Sequence, residues 1–464
     1  MWQSKSSRCA TRPKEAPFTR KRSTRRLLAI LPPSTTSDLR EMEGRMLTRR
    51  GLGLAAVATG ALAVRPAWSQ TPLSAEQQFM VEGRYLPQYL ELKAQAAAGR
   101  PAAGGFLAQY AAFLGDEATA IGGDEKDRPA DAELPDLSNA ESRDALSAIV
   151  EAATARQIVI LNEAHNISGH RGFATRVMRA LRPLGFDTFA AETFLQPQQE
   201  AAPSIRRYRR GDPLHSGFGY YIADPVYAEA VREAAELGYT FADYEWRWDQ
   251  RPPATASGDE QIAAREAAQA GNLVETVLKG RPDARIFVLC GYSHAMELEG
   301  RGGLWFAARL KALTGIDPLT IEQSWNWPAT RPQADAPHVA AVLKRFQPTA
   351  PIVVSRNGIA FANSDFEGRV DLSVFHPRLD RVAGRPGWLA ADPLRKAVEV
   401  SIPAFEGPAL LQALHMQEGM VIPADHFLLE AGQARGTMML RPGAYVLRLE
   451  TTRGIEPAFG EIVV

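Results

Sequence analysis

Gln157-Ile158-Val159-Ile160-Leu161-Asn162 reads as a short strand, and Glu163-Ala164-His165 follows it at once. Four consecutive apolar residues, three of them β-branched, suit a strand covered on both faces. The pattern recurs: strands are predicted over 187–191, 239–244, 285–290 and 317–321. Helices are predicted over 145–155, 173–184, 225–237, 260–278 and 304–313, and Gly185 and Gly238 stop two of them. Strands separated by helices predict an α/β domain over residues 143–335 with a mainly parallel sheet and flanking helices.

Outward from this block the texture changes. Residues 70–142 predict a helical segment over 74–117, broken near Gly99-Arg100-Pro101, and then an acidic, Pro/Gly-rich linker over 118–140. Residues 336–394 hold short strands among many Gly, Pro and Asp residues and are expected to connect. Residues 395–464 alternate apolar and polar positions between turns, as in Pro442-Gly443 before Ala444 to Leu449, and predict a small β-sandwich. No internal repeat is visible.

The chain has 464 residues, 45% hydrophobic and 23% charged, with 53 basic and 53 acidic side chains. That excludes a disordered chain. Two cysteines exclude a disulfide scaffold. The zero net charge hides an asymmetry. Residues 1–69 carry 14 Lys/Arg against 4 Asp/Glu, leaving 39 basic and 49 acidic residues for the rest. So acidic a body argues against nucleic-acid binding.

The basic excess has a specific source. Thr48-Arg49-Arg50-Gly51-Leu52-Gly53-Leu54, the mild apolar run 55–64 and Ala67-Trp68-Ser69 form the pattern of a twin-arginine export signal over 46–69, cut after Ser69. The run is too short and too rich in Gly and Ala to span a bilayer. The expectation is a periplasmic or secreted bacterial protein that meets the twin-arginine translocase during export and keeps no stable membrane anchor afterwards. Residues 1–45 are Arg/Ser/Pro-rich, so Met42 or Met46 is expected to start the protein, with a disordered or misassigned stretch before it. Cleavage removes Cys9 and leaves Cys290 alone, a small core residue with no disulfide partner.

The chemistry collects at the strand ends. Glu163 and His165 follow the first predicted strand, Glu192 the second, Glu245 the third, Gly291-Tyr292-Ser293-His294 the fourth and Glu322 the fifth. Ligands of open α/β sheets bind beyond the carboxyl ends of the strands, and here each strand delivers an acid or an imidazole to that edge. Such a rim works in two ways. A carboxylate can orient an imidazole that acts as general base on water. Alternatively, Glu163, His165, Glu192 and His294 can coordinate a divalent metal that lowers the pKa of bound water. The sequence leaves both open.

These blocks carry a resemblance. Ile158 to His165, His170-Arg171, a helix and Gly185 to Glu192 resemble the opening of the erythromycin esterase and ChaN-like superfamily, which includes Tiki/TraB-related members. Val288 to His294 resembles the family's second histidine block, and the helix with Arg265 and Asn272 its Arg/Asn-bearing helix. The likeness covers about 145–325, and Asn162 stands where the family has Gly. It implies a catalytic rim of Glu163, His165, Glu192 and His294. In the esterases a histidine activates water against a lactone ester, Tiki/TraB-type members are proposed metal-dependent peptidases, and ChaN-like members bind haem.

Other residues are weighed beside these. Gly291-Tyr-Ser-His-Ala295 nearly matches a serine nucleophile elbow, but no helix is predicted immediately behind Ser293. His170 and Arg171 could clamp a substrate carboxylate or phosphate. Tyr221, Glu245 and Arg265 are further candidates for substrate contact, and Tyr244 to Trp248 could wall a pocket. His376 and Trp388 read as packing residues or a lid. Taken together, the expected function is an exported hydrolase that cleaves an ester or amide of a small molecule or peptide by activated water. His165 or His294 is the expected base, and the cofactor is left open between none, a divalent metal and haem. The alternatives are a non-catalytic haem- or metal-binding protein of the ChaN-like type, a serine hydrolase using Ser293, and a carbohydrate- or surface-binding sandwich beside a decayed enzyme.

Overall fold

The computed structural model describes residues 73–100, 103–123, 125–129, 131–197, 204–300, 302–419 and 422–464. The export signal, the two candidate start sites and Cys9 lie outside these residues. Among the described residues no helix is long and apolar enough to cross a membrane.

The central layer is a nine-stranded sheet. Its main strands are β1 (Ala140–Asp144), β2 (Ile158–Glu163), β3 (Thr188–Ala191), β4 (Thr240–Asp243), β5 (Ile286–Gly291), β6 (Leu319–Glu322), β7 (Ile352–Arg356) and β8 (Leu372–Phe375). They lie in the order β1-β7-β8-β6-β2-β5-β3-β4, with the two-residue strand Ile359–Ala360 beside β7. From β8 to β4 neighbours are parallel. The β1/β7 and β7/β8 pairs are antiparallel.

The two faces are read by the period-two alternation of each strand. Val159, Leu161, Phe189, Phe241, Phe287 and Leu289 face one core with Phe173, Val177, Leu181, Tyr227 and Val231. The last five come from α6 (Ser168–Leu181) and α7 (Pro225–Glu236), numbered after α1 (Ala75–Glu82), α2 (Leu86–Ala97), α3 (Ala103–Phe113), α4 (Glu117–Gly122) and α5 (Ala145–Ala153). Ile158, Ile160, Ala190, Ala242, Ile286, Val288 and Cys290 face the other, against α8 (Gly258–Leu273) and α9 (Phe306–Thr314). Local signals agree with these elements. Ser257 and Glu260 form a capping box at α8, and Asp224 caps α7 with Pro225 in its first turn. Cys290 is buried in the second core, where burial pushes its thiol up.

Three expectations are corrected here. The helical segment breaks at Gly83, where φ is 65°, as well as near Gly99, and α4, which starts at the segment's last residue Glu117, runs on to Gly122 inside the expected linker. Residue 143 does not open the sheet, because β1 already runs from Ala140. Its Ala-Glu-Ser-Arg-Asp sequence is exposed after the first residue, as an edge strand that shows no alternation must be. Nor does the sheet stop at 335. The stretch 336–394 supplies α10 (Pro337–Phe346), β7 and β8, whose short runs only gain a pattern from pairing with β1 and β6.

The C-terminal strands are all antiparallel. β9 (Lys396–Ser401) pairs with β12 (Arg435–Leu440). β10 (Ala409–His415) pairs with β11 (Asp425–Leu429) and with β13 (Ala444–Thr451), which also pairs with β14 (Gly460–Val463). Val400, Leu411, Ala413, Met438, Leu440, Tyr445 and Leu447 fill the core between the two sheets. This sandwich covers α7 through a buried ion pair of Arg232 with Glu418 at 2.8 Å and a contact of His415 Nε2 with the Glu229 carboxylate at 2.7 Å. At the other end of the chain, Glu450 accepts the backbone N–H groups of Tyr85 and Leu86 at 2.9 and 3.0 Å, so it binds the start of α2.

Candidate active site

Alternation aims Glu163 to the same side as Val159 and Leu161, where α6 covers the sheet. Its carboxylate is buried and grips Arg171 with both oxygens, at 2.8 Å from Nε and 3.0 Å from Nη2. Arg171 Nη1 donates to Asp224 Oδ2 at 2.6 Å and Nη2 to the His165 carbonyl at 2.9 Å. Burial alone would raise the Glu163 pKa, but Arg171 and His165 outweigh it and hold the carboxyl below its usual range. The second oxygen contact orients His165, whose Nδ1 lies 3.2 Å from Glu163 Oε1. The His165 ring stacks on Tyr221 at 4.2 Å and meets the Tyr292 ring edge-on at 5.0 Å.

A second carboxylate–imidazole group faces the first across Gly291. Glu192 Oε2 accepts the Gly291 N–H at 2.5 Å, and Oε1 accepts from Arg265 Nη2 at 2.8 Å. Arg265 also donates from Nε to Glu245 at 2.9 Å, and Gln269 donates to the same carboxylate at 2.9 Å. His294 lies between Glu266, 2.9 Å from Nδ1, and Glu192, 3.4 Å from Nε2. Burial would lower the His294 pKa, but Glu266 and Glu192 reverse it and push it up to about 10. With a carboxylate beside each ring nitrogen, this ring is held toward the imidazolium form at neutral pH.

The two groups differ in pH response. Because the His294 pKa is raised, its contribution to stability is full below the unfolded value near 6.5 and is lost as pH rises through about 10. Glu192 is held well below the carboxylate range: burial opposes this, but His294 and Arg265 dominate. Its contribution is full above pH 4.5 and is lost as pH falls. Melting temperature against pH should therefore fall on both sides of a neutral plateau, and His294→Gln should remove the decline toward pH 10. An unchanged alkaline limb in that variant would refute the imidazolium assignment.

Between the groups, Gly291 is required by space. A Cβ there would stand 2.5 Å from His165 Cε1 and 2.7 Å from Nε2. Gly291→Ala should displace the imidazole and shift the nuclear magnetic resonance signals of the His165 ring while leaving the circular dichroism spectrum unchanged. Unmoved ring signals in that variant would mean that Gly291 does not set the position of His165. The next residue, Tyr292, holds φ at 38°, a region that bulky residues rarely enter. Asn162 secures it by donating to its carbonyl at 2.7 Å. Asn162 also donates to Glu322, so it ties three strand ends together. Burial pushes the Glu322 pKa up to about 7.

The structure thus brings Glu163, His165, Glu192 and His294 together, with Tyr221, Glu245 and Arg265 beside them. His165, His294, Glu245 and Arg265 each show about a tenth of their side chain to solvent, at 10 or 11%. Two expected substrate contacts are corrected. His170 and Arg171 are fully buried, because α6 points them inward: Arg171 onto Glu163 and Asp224, His170 onto the Ala164 N–H. Glu322 is likewise buried and does not reach the rim. Ser293 makes no hydrogen bond to either imidazole among the described residues, and the strained backbone of an elbow falls on Tyr292 instead. His376 and Trp388 pack, the first on Gln323 and Trp327, the second on Glu117.

A divalent ion does not fit these donors. The carboxylates of Glu163 and Glu192 are already engaged by guanidinium groups, and among the described residues no cluster of three or more His, Cys, Asp or Glu side chains is arranged to hold a metal. Asp224, Glu266 and Tyr292 join the site without having been singled out as site residues in the sequence. A signal for Glu266 did exist: Gln261, Arg265, Gln269 and Asn272 recur at helical spacing, and this polar stripe of α8 faces inward.

No known family profile matches this chain, and no curated protein matches it. Among solved structures, one titled as bacterial protein toxins is 18% identical, with a TM-score of 0.28 over 36% of this chain and 34% of that one. RRSP, a MARTX toxin effector domain from Vibrio vulnificus, is 16% identical, with a TM-score of 0.28 over 36% of each chain. The type III effector HopBA1 is 16% identical, with a TM-score of 0.29 over 39% of this chain and 82% of that one. This chain spans about a third of the length of the first two.

Proposed function

We propose that this chain is an exported hydrolase of the erythromycin esterase and ChaN-like kind, cleaving an ester or amide by activated water. The observation that carries this reading is the Glu163–His165 pair. A carboxylate on Nδ1 fixes the tautomer that leaves the Nε2 lone pair free. In the proposed reaction, His165 Nε2 takes a proton from water as the oxygen attacks the carbonyl carbon. The oxyanion that forms is met by His294 Nε2–H and Arg265 Nη1, two donors 3.5 Å apart. Collapse breaks the bond to the alcohol or amine, which leaves with the proton held by His165.

The test is turnover of a panel of esters, lactones and amides in water enriched in ¹⁸O, with and without a chelator. The reading expects one heavy oxygen in the product acid, chelator-resistant turnover and full activity in Ser293→Ala. An acyl adduct on Ser293 would replace it with a serine mechanism. A Soret band or stoichiometric metal, lost in Glu163→Ala and His294→Ala, with no turnover, would replace it with the cofactor-binding alternative.

A further inference from the structure

The bonds that fix Glu163 continue beyond Arg171. Asp224, only 1% exposed, divides its two oxygens between two tasks. Oδ1 accepts the Val226 N–H at 2.9 Å and caps α7. Oδ2 accepts from Arg171 Nη1 at 2.6 Å and from Ser168 Oγ at 2.7 Å. Arg171 has no solvent exposure, so no water replaces an acceptor that is removed. A guanidinium is planar and moves as one piece, so the Asp224 contact at its outer nitrogen helps to set the angle at which the fork meets both Glu163 oxygens.

We infer that Asp224 is a positioning residue for the His165 base, acting through Arg171 and Glu163. This rests on the reading of His165 above. The chain of contacts runs Asp224 Oδ2 to Arg171 at 2.6 Å, Arg171 to Glu163 at 2.8 and 3.0 Å, and Glu163 to His165 Nδ1 at 3.2 Å. A shift at Asp224 tilts the guanidinium, then the carboxylate, and the imidazole loses its fixed tautomer. The effect falls on the reacting nitrogen rather than on substrate binding.

Asp224→Asn separates this role from simple folding, since Asn caps a helix as well as Asp does but places an amide donor against Arg171. Full-length protein should fold with the wild-type circular dichroism spectrum. Its kcat should fall by about 10- to 100-fold with KM within about twofold, and the ¹⁵N signals of the His165 ring should move toward a mixed tautomer. Ser168→Ala, which removes only the hydroxyl on Oδ2, should shift the same signals less in the same direction. Unmoved His165 signals in both variants would overturn the inference, as would an unmoved kcat in folded Asp224→Asn. The nuclear magnetic resonance arm needs no substrate. Shifted signals in a protein that turns over no ester or amide would sink the hydrolase reading and leave the Asp224 relay standing.

Discussion

Replacing Arg171 with Met should lower stability by about 3–5 kcal/mol, the cost of leaving buried charge without its partner. The guanidinium is completely buried, lies about 5 Å over the Tyr221 and Tyr227 rings, and compensates Glu163 and Asp224, which are 2% and 1% exposed. In Arg171→Met two carboxylates face each other in a dry interior. Both must take up protons or admit water, and the Glu163 pKa, now held low by Arg171, should rise. Urea unfolding should show the midpoint fall, with a larger loss at pH 8 than at pH 5, where the freed carboxylates neutralise more readily. Adding Glu163→Gln and Asp224→Asn should return part of the stability by removing the uncompensated charge. A midpoint that moves by less than about 1 kcal/mol would mean that the Glu163–Arg171–Asp224 cluster is not formed in solution.

The second large effect is kinetic. His165→Ala should reduce ester or amide turnover by about 10²–10⁴-fold, the range of a positioned general base. The fold should survive, because the ring contributes one stack on Tyr221, one edge contact and one carboxylate contact. Added imidazole should restore part of the rate, since the Glu163 carboxylate and the space beside Gly291 remain. His294→Ala should also lose turnover but should not respond to imidazole in the same way, because its role is that of a fixed cation. Equal rescue of the two variants would refute the division of labour between the imidazoles.

How much of this was legible in the sequence depends on where the information sits. The five parallel strands β2 to β6 carry their own signal: β2 and β5 open on uninterrupted apolar runs, and β3, β4 and β6 are short segments set between helical stretches. Their ends therefore also revealed Glu163, Glu192, Glu245 and His294. β1 carries no such signal, being polar and exposed, while β7 and β8, expected only as short strands, find their place in the sheet through cross-strand partners far along the chain. The division of roles at the site was hidden for the same reason. Nothing in Ser293-His294 says that this imidazole is held toward its charged form. That is decided by Glu266, which only the fold places 2.9 Å from His294. Arg171 looked like a surface clamp at the start of a helix because sequence does not tell which side of that helix faces the sheet.

The clasp of Glu450 on Tyr85 and Leu86 joins positions 365 and 364 residues apart. Synthesis runs from the N-terminus onward, so this clasp cannot close until residue 450 has left the ribosome. The same holds for the cover that β10 and the turn at Glu418 place on α7. Contacts so distant in sequence make folding slow, and the faces of α2 and α7 that await them stay uncovered throughout translation, a state prone to aggregation. A nascent chain stalled before residue 410 should accordingly be cut by protease at α7, whereas the released protein resists. Early resistance at α7 in the stalled chain would mean that the helix finds its cover without the sandwich.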